Sequence, residues 1–411
     1  MSLDTRRRVI IRAAARAFLI GSVILAVALG SLPGALAQTG FDRLHQSQTP
    51  LTPEEIVSSQ IEQLSLEDLD TFVRALDPNV REALPPLDLK RMIFEGEGVE
   101  WGALGARIAR VFLDEVSLNL SLLGQLIVLG VFCALLKTIA SSTRSSEVAG
   151  VAVLVSLLAL LYLALSAFRS VVATASDTLD QMVGFMLALL PVLSTMLAAV
   201  GAVSTAAIFH PLLYATVTGI AALVQNVLFP LVYISAALAV IGSLSKEFPV
   251  KQFSGLLRSG TVLILGFAFV AFFAVVQARG AIAPIADGLA MRTAKLLTGA
   301  FIPVVGGRIA DALDVIVGGS VLIKNAIGVF GMGAIVVITA FPIAKIFSIL
   351  TIFRLATALV EPIADERLVQ AMAGLSGSLT LLLAGMITAA LMFFVGITVV
   401  VGVGNATAFI R

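Results

Sequence analysis

The sequence predicts an all-α fold: a polytopic helical membrane protein of about eight spans, with a small N-terminal extracytoplasmic helical region and a charged hairpin of broken helix. Three observations carry this. Of 411 residues, 59% are hydrophobic and only 13% charged, with a mean hydropathy of +1.04; a soluble surface needs about twice that charge. Beyond Leu118 the apolar residues come in runs of about 20, the length that crosses a hydrocarbon core. The stretch 281–325 departs from this pattern, setting Asp287, Arg292, Lys295, Arg308, Asp311, Asp314 and Lys324 among apolar residues. The net charge of +1 says little, because the charges are unevenly placed. A single cysteine, Cys133, excludes an intrachain disulfide and a cysteine metal site, and two histidines, His45 and His210, argue against a histidine zinc centre. No cofactor is expected.

Residues 1–37 read as a signal peptide: Arg6, Arg7, Arg8, Arg12 and Arg16, an apolar core, then Ala35-Leu36-Ala37. The small-x-small end favours cleavage over an uncleaved first helix, and either reading places Gln38 outside the cytoplasm. Residues 38–117 form an acidic extracytoplasmic region. Thr52-Pro53-Glu54-Glu55 is a capping box with proline at the first helical position. Ser65 and Asp68 open a second helix through Leu69, Phe72, Val73 and Leu76, which Asp77-Pro78-Asn79 stops. A third runs through Trp101, Leu104, Ile108 and Val111. The acidity argues against nucleic acid and leaves two readings, a small protein-contact module or a solvated helical cap.

The membrane domain divides into 118–280, with six spans, and 326–411, with two. The windows are 119–136, 148–168, 182–203, 206–225, 227–244, 260–277, 326–345 and 376–403. With Gln38 outside, the cytoplasmic loops carry Lys137 and Arg144, then Lys246, Lys251 and Arg258, then Lys345, Arg354 and Arg367, which agrees with the positive-inside rule. Arg279, Arg292, Lys295, Arg308 and Lys324 fall outside under the same scheme.

Between these parts, 281–325 reads as an amphipathic or re-entrant helical hairpin. Pro303-Val304-Val305-Gly306-Gly307 breaks any continuous helix. At about 100° per residue, Ile309, Ala312, Leu313 and Ile316 share one side of the second half, while Arg308, Asp311 and Asp314 share the other. Such charges are rarely left facing lipid. The hairpin lies at the interface or lines a path as discontinuous helices do in transporters. Candidate path or assembly residues are Asp287, Arg292, Lys295, Pro303, Gly306, Gly307, Arg308, Asp311, Asp314, Lys324 and Asn325.

No catalytic constellation stands out: there is no nucleophile elbow, no metal-spaced His/Glu pair and no Walker lysine. His210 reads as an interfacial or packing residue and Glu361-Pro362 with Asp365, Glu366 and Arg367 as a solvated turn. Gly374 and Ser378, like Ala373 and Gly377, have the small-xxx-small spacing of helix packing, which leaves self-association open.

Phe209-His210-Pro211, Ala286-Asp287-Gly288, Arg292-Thr293-Ala294-Lys295, Phe301-Ile302-Pro303-Val304-Val305-Gly306, the run VGGSVLIKNAIGV at 317–329, Glu361-Pro362-Ile363 and the tail from Met392-Phe393-Phe394 to Gly402-Val403-Gly404-Asn405 together resemble the stage III sporulation protein AE family. The resemblance extends over nearly the whole chain and is strongest from Phe209 onward. It implies an integral membrane component of a secretion-like channel complex in endospore-forming bacteria. It places the chain in the mother cell membrane facing the forespore, needed for late forespore gene expression. It further implies partners among the other membrane proteins of its operon and on the forespore side of the channel.

Two function classes follow: a non-enzymatic channel or assembly subunit, and an autonomous secondary transporter with its substrate site at the break around Pro303. No other loop repeats the charged hairpin, which favours the first. An intramembrane enzyme lacks a paired acid and base.

Overall fold

The computed structural model describes residues 53–409 apart from 63, 65, 77, 85–87, 96–100, 143–145, 245–249 and 302–305. The expected signal at 1–37 lies outside the described residues. Contacts divide the chain after Glu55, and the packing below is that of the compact unit Ile56–Arg411.

Four short helices come first. α1 (Pro53–Glu62) starts with its proline, as the capping-box pattern requires. α2 (Glu67–Ala75) carries Glu67, Asp68 and Asp70 in its first turn and Arg74 in its last, which complements the helix dipole. α3 (Pro78–Ala83) begins on the proline that ends α2, and α4 (Leu89–Phe94) is capped by Asp88, whose carboxylate accepts from the Arg91 amide at 3.2 Å. α5 (Trp101–Leu118) leads into α6 (Leu120–Ser142). Then come the long helices: α7 (Ser146–Ala199); α8 (Val203–Leu223), continued by a π segment (Val224–Leu228) and α9 (Phe229–Leu244); α10 (Val250–Phe301); α11 (Gly306–Val360); and α12 (Glu366–Phe409). The described residues hold no strand.

Six stretches are long and apolar enough to cross a membrane, against the eight windows read from hydropathy. The windows at 148–168 and 182–203 belong to one helix, α7. Arg169, Asp177 and Asp180 between them turn their exposed side chains outward and leave the backbone ladder whole. Likewise 206–225 and 227–244 are joined through the π segment, because Gln225 and Asn226 widen one turn without opening a loop. Four of the six stretches run 41 to 46 residues. At 1.5 Å per residue these rise about 60 Å or more, twice a hydrocarbon core of about 30 Å. Half of each long helix therefore needs cover other than lipid tails.

Helix contacts order the two ends of the bundle. At one end Lys137 Nζ meets Asp365 Oδ2 at 2.7 Å, which joins the α6–α7 and α11–α12 connections. Arg258, near the start of α10, donates to the Gly374 carbonyl near the start of α12 at 2.6 Å. At the other end lies the α7–α8 turn, made possible by Gly201 at φ 85°, a left-handed conformation that glycine adopts freely. The eight-window scheme puts this turn with the basic loops; the structure moves it to the opposite end, because α7 and α8–α9 are two unbroken arms of one hairpin.

α11 and α12 fill the centre, with Phe330, Phe353 and Phe393 fully buried between neighbours. Small residues let the helices close up. Gly374 receives Ala239 of α9, Gly377 lies under the Arg258 guanidinium, and Ser378 donates to Ser235 at 3.3 Å, so the small-xxx-small spacing serves packing inside the chain. The acidic region joins the same core. Phe72 of α2 sits over Gly184 with its ring 5.9 Å from Phe185, which lies 6.4 Å from Phe330. Phe112 of α5 packs on Phe347 with tilted rings 5.5 Å apart. Lys345, expected in a cytoplasmic loop, lies inside α11 and meets Glu115 of α5 at 3.7 Å, because α11 runs on unbroken past it.

Candidate functional site: the clamped base of the charged hairpin

α10 is described as far as Phe301 and α11 from Gly306, on either side of 302–305, which contain Pro303. The halves of the expected hairpin are not separate amphipathic helices. They are the end of α10 and the beginning of α11, each continuous with an apolar stretch, because the charged residues interrupt the hydropathy but not the helix. Asp287 and Lys324 stand on these two helices, and each is taken up by a neighbouring helix.

Asp287 supplies what α8 lacks. The first amides of a helix have no internal acceptors, and Ala202 at the N-cap of α8 has no side chain to offer one. From α10, Asp287 fills the place: Oδ1 accepts from the Ser204 amide at 3.1 Å, and Oδ2 accepts from the Thr205 amide at 2.9 Å and from the Thr205 hydroxyl. The carboxylate is 3% exposed. A negative charge at the positive end of a helix is the favourable sign.

Lys324 is the mirror case. Its side chain is fully buried, and Nζ donates to the Val401 carbonyl at 2.7 Å and to Asn405 Oδ1 at 2.6 Å, in the last turns of α12. Here a cation sits on a carbonyl about two turns before the end of α12. Gly404 makes room for it, since a Cβ there would come 2.5 Å from Nζ. One turn earlier Ser320 donates to Gln60 Oε1 at 3.3 Å, and Gln60 Nε2 donates to the Ile316 carbonyl at 3.0 Å. Ile316, Ser320 and Lys324, four residues apart, thus form a polar file from α1 to α12. The neighbouring Asn325 has its Oδ1 buried with no hydrogen-bond partner.

Of the other expected site residues, Arg292 is exposed. Pro303 and the side chains of Lys295, Gly306, Gly307, Arg308, Asp311 and Asp314 lie outside the described residues, and so does the expected Arg308 pairing. Ser204, Thr205, Asn405, Gln60 and Ser320 are absent from the sequence-based candidates. The pair Ser204-Thr205 after Gly201-Ala202 carries a helix-start signal, but nothing local names Asp287 as its cap. His210 contacts Ser194 at 2.9 Å across the α7–α8 hairpin, in keeping with a packing role. Among the described residues no group of three His, Cys, Asp or Glu could hold a metal. With three donors on Asp287 and two acceptors on Lys324, these charges hold helices together.

The sequence profile of the stage III sporulation protein AE family matches residues 88–404. The chain belongs to this family. The family match takes in Asp287 and Lys324 but begins after α1–α3, so the part shared with the family is narrower than the near-whole-chain resemblance. Over 312 residues the chain is 34% identical to the stage III sporulation protein AE of Bacillus subtilis (strain 168), covering 76% of this chain and 77% of that protein. No solved structure matches the chain. Family membership and six membrane-length helices make this a membrane protein of sporulation.

Proposed function

We propose that the protein is a non-enzymatic integral membrane subunit of the secretion-like channel complex that links mother cell and forespore. In that role it supports late forespore gene expression. It sits in the mother cell membrane facing the forespore, with the other membrane proteins of its operon and a forespore-side channel partner as neighbours. The observation that supports this reading is the pair of buried clamps at Asp287 and Lys324. Each binds a neighbouring helix, and α10 continues from Asp287 to Phe301 for about 20 Å at 1.5 Å per residue. A helical arm that starts from buried charges already spent within the chain suits assembly with neighbouring subunits. Lys137, Arg258, Arg354 and Arg367 gather toward the opposite end, the cytoplasmic one by the positive-inside rule.

The transporter alternative needs a helix broken near the bilayer midplane. α10 and α11 run unbroken through Asp287 and Lys324, and their membrane-length apolar stretches, Phe253–Ala278 and Val315–Val360, stop short of Pro303, which argues against that geometry. The test is purification of the tagged protein from sporulating cells in mild detergent. Operon-encoded membrane partners are expected to come with it, and Lys324→Glu should release them and block late forespore reporters. A wild-type protein that purifies alone, and by itself drives solute uptake into liposomes, would overturn the proposal.

A further inference from the structure

The outward faces of the long helices are not alike. α10 exposes Phe253, Leu263, Phe267 and Val270, with Phe267 74% and Leu263 73% exposed. α6 exposes Val128, Phe132 and Leu135, and the first half of α7 exposes Val155, Leu158 and Tyr162. Bulky apolar side chains of this kind belong against lipid tails. From Ser166 to Ala202, among the described residues, no large hydrophobic side chain is exposed. The outward positions of α7 there are Arg169, Asp177, Asp180 and Thr195, separated by Ala173, Pro191 and Ala198.

α8 runs back beside this half of α7 and continues the pattern. It turns out Ser204, His210 and Ala215, and the π segment adds Gln225 and Asn226; beyond Val203 at its first position, only Ile208 and Tyr214 are bulky, apolar and exposed. The two rows are joined at both ends. Ser194 Oγ meets His210 Nδ1 at 2.9 Å, and Gln225 Nε2 donates to Asp180 Oδ1 at 2.8 Å. The result is one polar face from Asp177 and Asn226 up to the turn at Gly201. Carboxylates and amides are strongly disfavoured in hydrocarbon and face cavities or water when they lie within membrane helices. Yet hydropathy alone makes both helices membrane spans.

We infer that this outer face of the α7–α8 hairpin meets water, whereas the outer faces of α10 and α6 meet lipid. The bundle is two-sided, and an aqueous surface runs along the α7–α8 side. Its charges beyond Arg169 are the carboxylates Asp177 and Asp180, so it suits hydrated cations and neutral polar solutes and repels polyanions. This does not rest on the channel reading, since it concerns only what wets the face.

Single cysteines test it in the protein expressed alone and embedded in membranes opened to water on both sides. Ala198→Cys, Ala207→Cys and Ala215→Cys lie on the polar face and remove no side-chain contact; Val128→Cys, Val155→Cys and Phe267→Cys lie on the lipid faces. The native Cys133 is buried and serves as the unreactive background. A charged, membrane-impermeant thiol reagent should label the three alanine positions at least tenfold faster than the other three. Equal protection of both sets would overturn the inference. A second readout uses tryptophan in place of Trp101, with Trp101→Phe as background. Brominated lipids should quench Phe267→Trp and leave Ala215→Trp bright, and quenching of both would place the hairpin face in lipid.

Discussion

Asp287 and Lys324 perform the same task with opposite charges, and the two are not equally easy to replace. Asp287 holds two backbone amides and a hydroxyl that have no other acceptor in view. Lys324 holds a carbonyl that lies inside α12 and retains its own helical partner, together with one side-chain amide. The acid completes a helix that is otherwise unfinished; the base pins a helix that is already whole. Sign alone therefore does not rank buried charges. What matters is the state of the group each one serves.

The contrast breaks most visibly at Asp287. Asp287→Ala leaves the buried Thr205 amide and hydroxyl and the part-buried Ser204 amide without their acceptor, at about 1–3 kcal/mol for each buried group, so a loss of about 3 kcal/mol is expected. It should appear as a drop in thermal stability of the detergent-purified protein and as protease sensitivity near Gly201. Asp287→Asn should recover about half, since one oxygen can still accept.

Next in size is Gly404→Val. The added side chain meets Lys324 Nζ and Leu197, whereas a Cβ at Gly402 meets nothing within 4 Å. A loss of about 2 kcal/mol at 404 against about none at 402 is expected, in the range for overpacking, read from paired melting curves. Lys324→Met should be milder, under about 1 kcal/mol, because it removes the desolvation penalty together with the bond. If Lys324→Met proves as damaging as Asp287→Ala, the contrast drawn above is wrong.

The smallest effect belongs to Lys137–Asp365, at the end away from the clamps. Burial pushes the Asp365 carboxyl up, but hydrogen bonds from Lys137 and the Arg367 amide, with the charges of both residues, outweigh it and hold the group below its ordinary value. A depressed carboxylate contributes stability that is full above its unfolded pKa of about 4 and is lost as pH falls through the folded value. The pair is partly exposed, so its worth is under about 1 kcal/mol. Asp365→Asn should flatten only the acid end of a stability curve taken between pH 3 and 7.

Membrane-length runs are legible because apolarity over about 20 residues is a local property, and the helix start at Pro53 is legible because a capping box is local. The number of helices is not. Arg169, Asp177 and Asp180 lower hydropathy without touching the backbone, so they imitate a loop. At the candidate site, charge among apolar residues draws attention to Asp287 and Lys324, which the structure shows buried and hydrogen-bonded. Their partners, 82 and 81 positions away in Thr205 and Asn405, depend on how helices return past one another, which no spacing in the chain encodes.

The π segment at Val224–Leu228 has a consequence for how the chain can change length. Val224, Leu228, Val232, Ala236 and Val240 are all buried and all four residues apart, a longer step than the 3.6 residues of a regular turn. One wide turn absorbs the surplus residue, so α8 and α9 both keep their inner faces on α12. Anywhere else in this 41-residue stretch, losing a residue would swing everything downstream by about 100°. Here a deletion only turns the π turn back into an α turn. Val224–Leu228 is the point in the long arm where one residue can be removed with the same sides still presented to the neighbours.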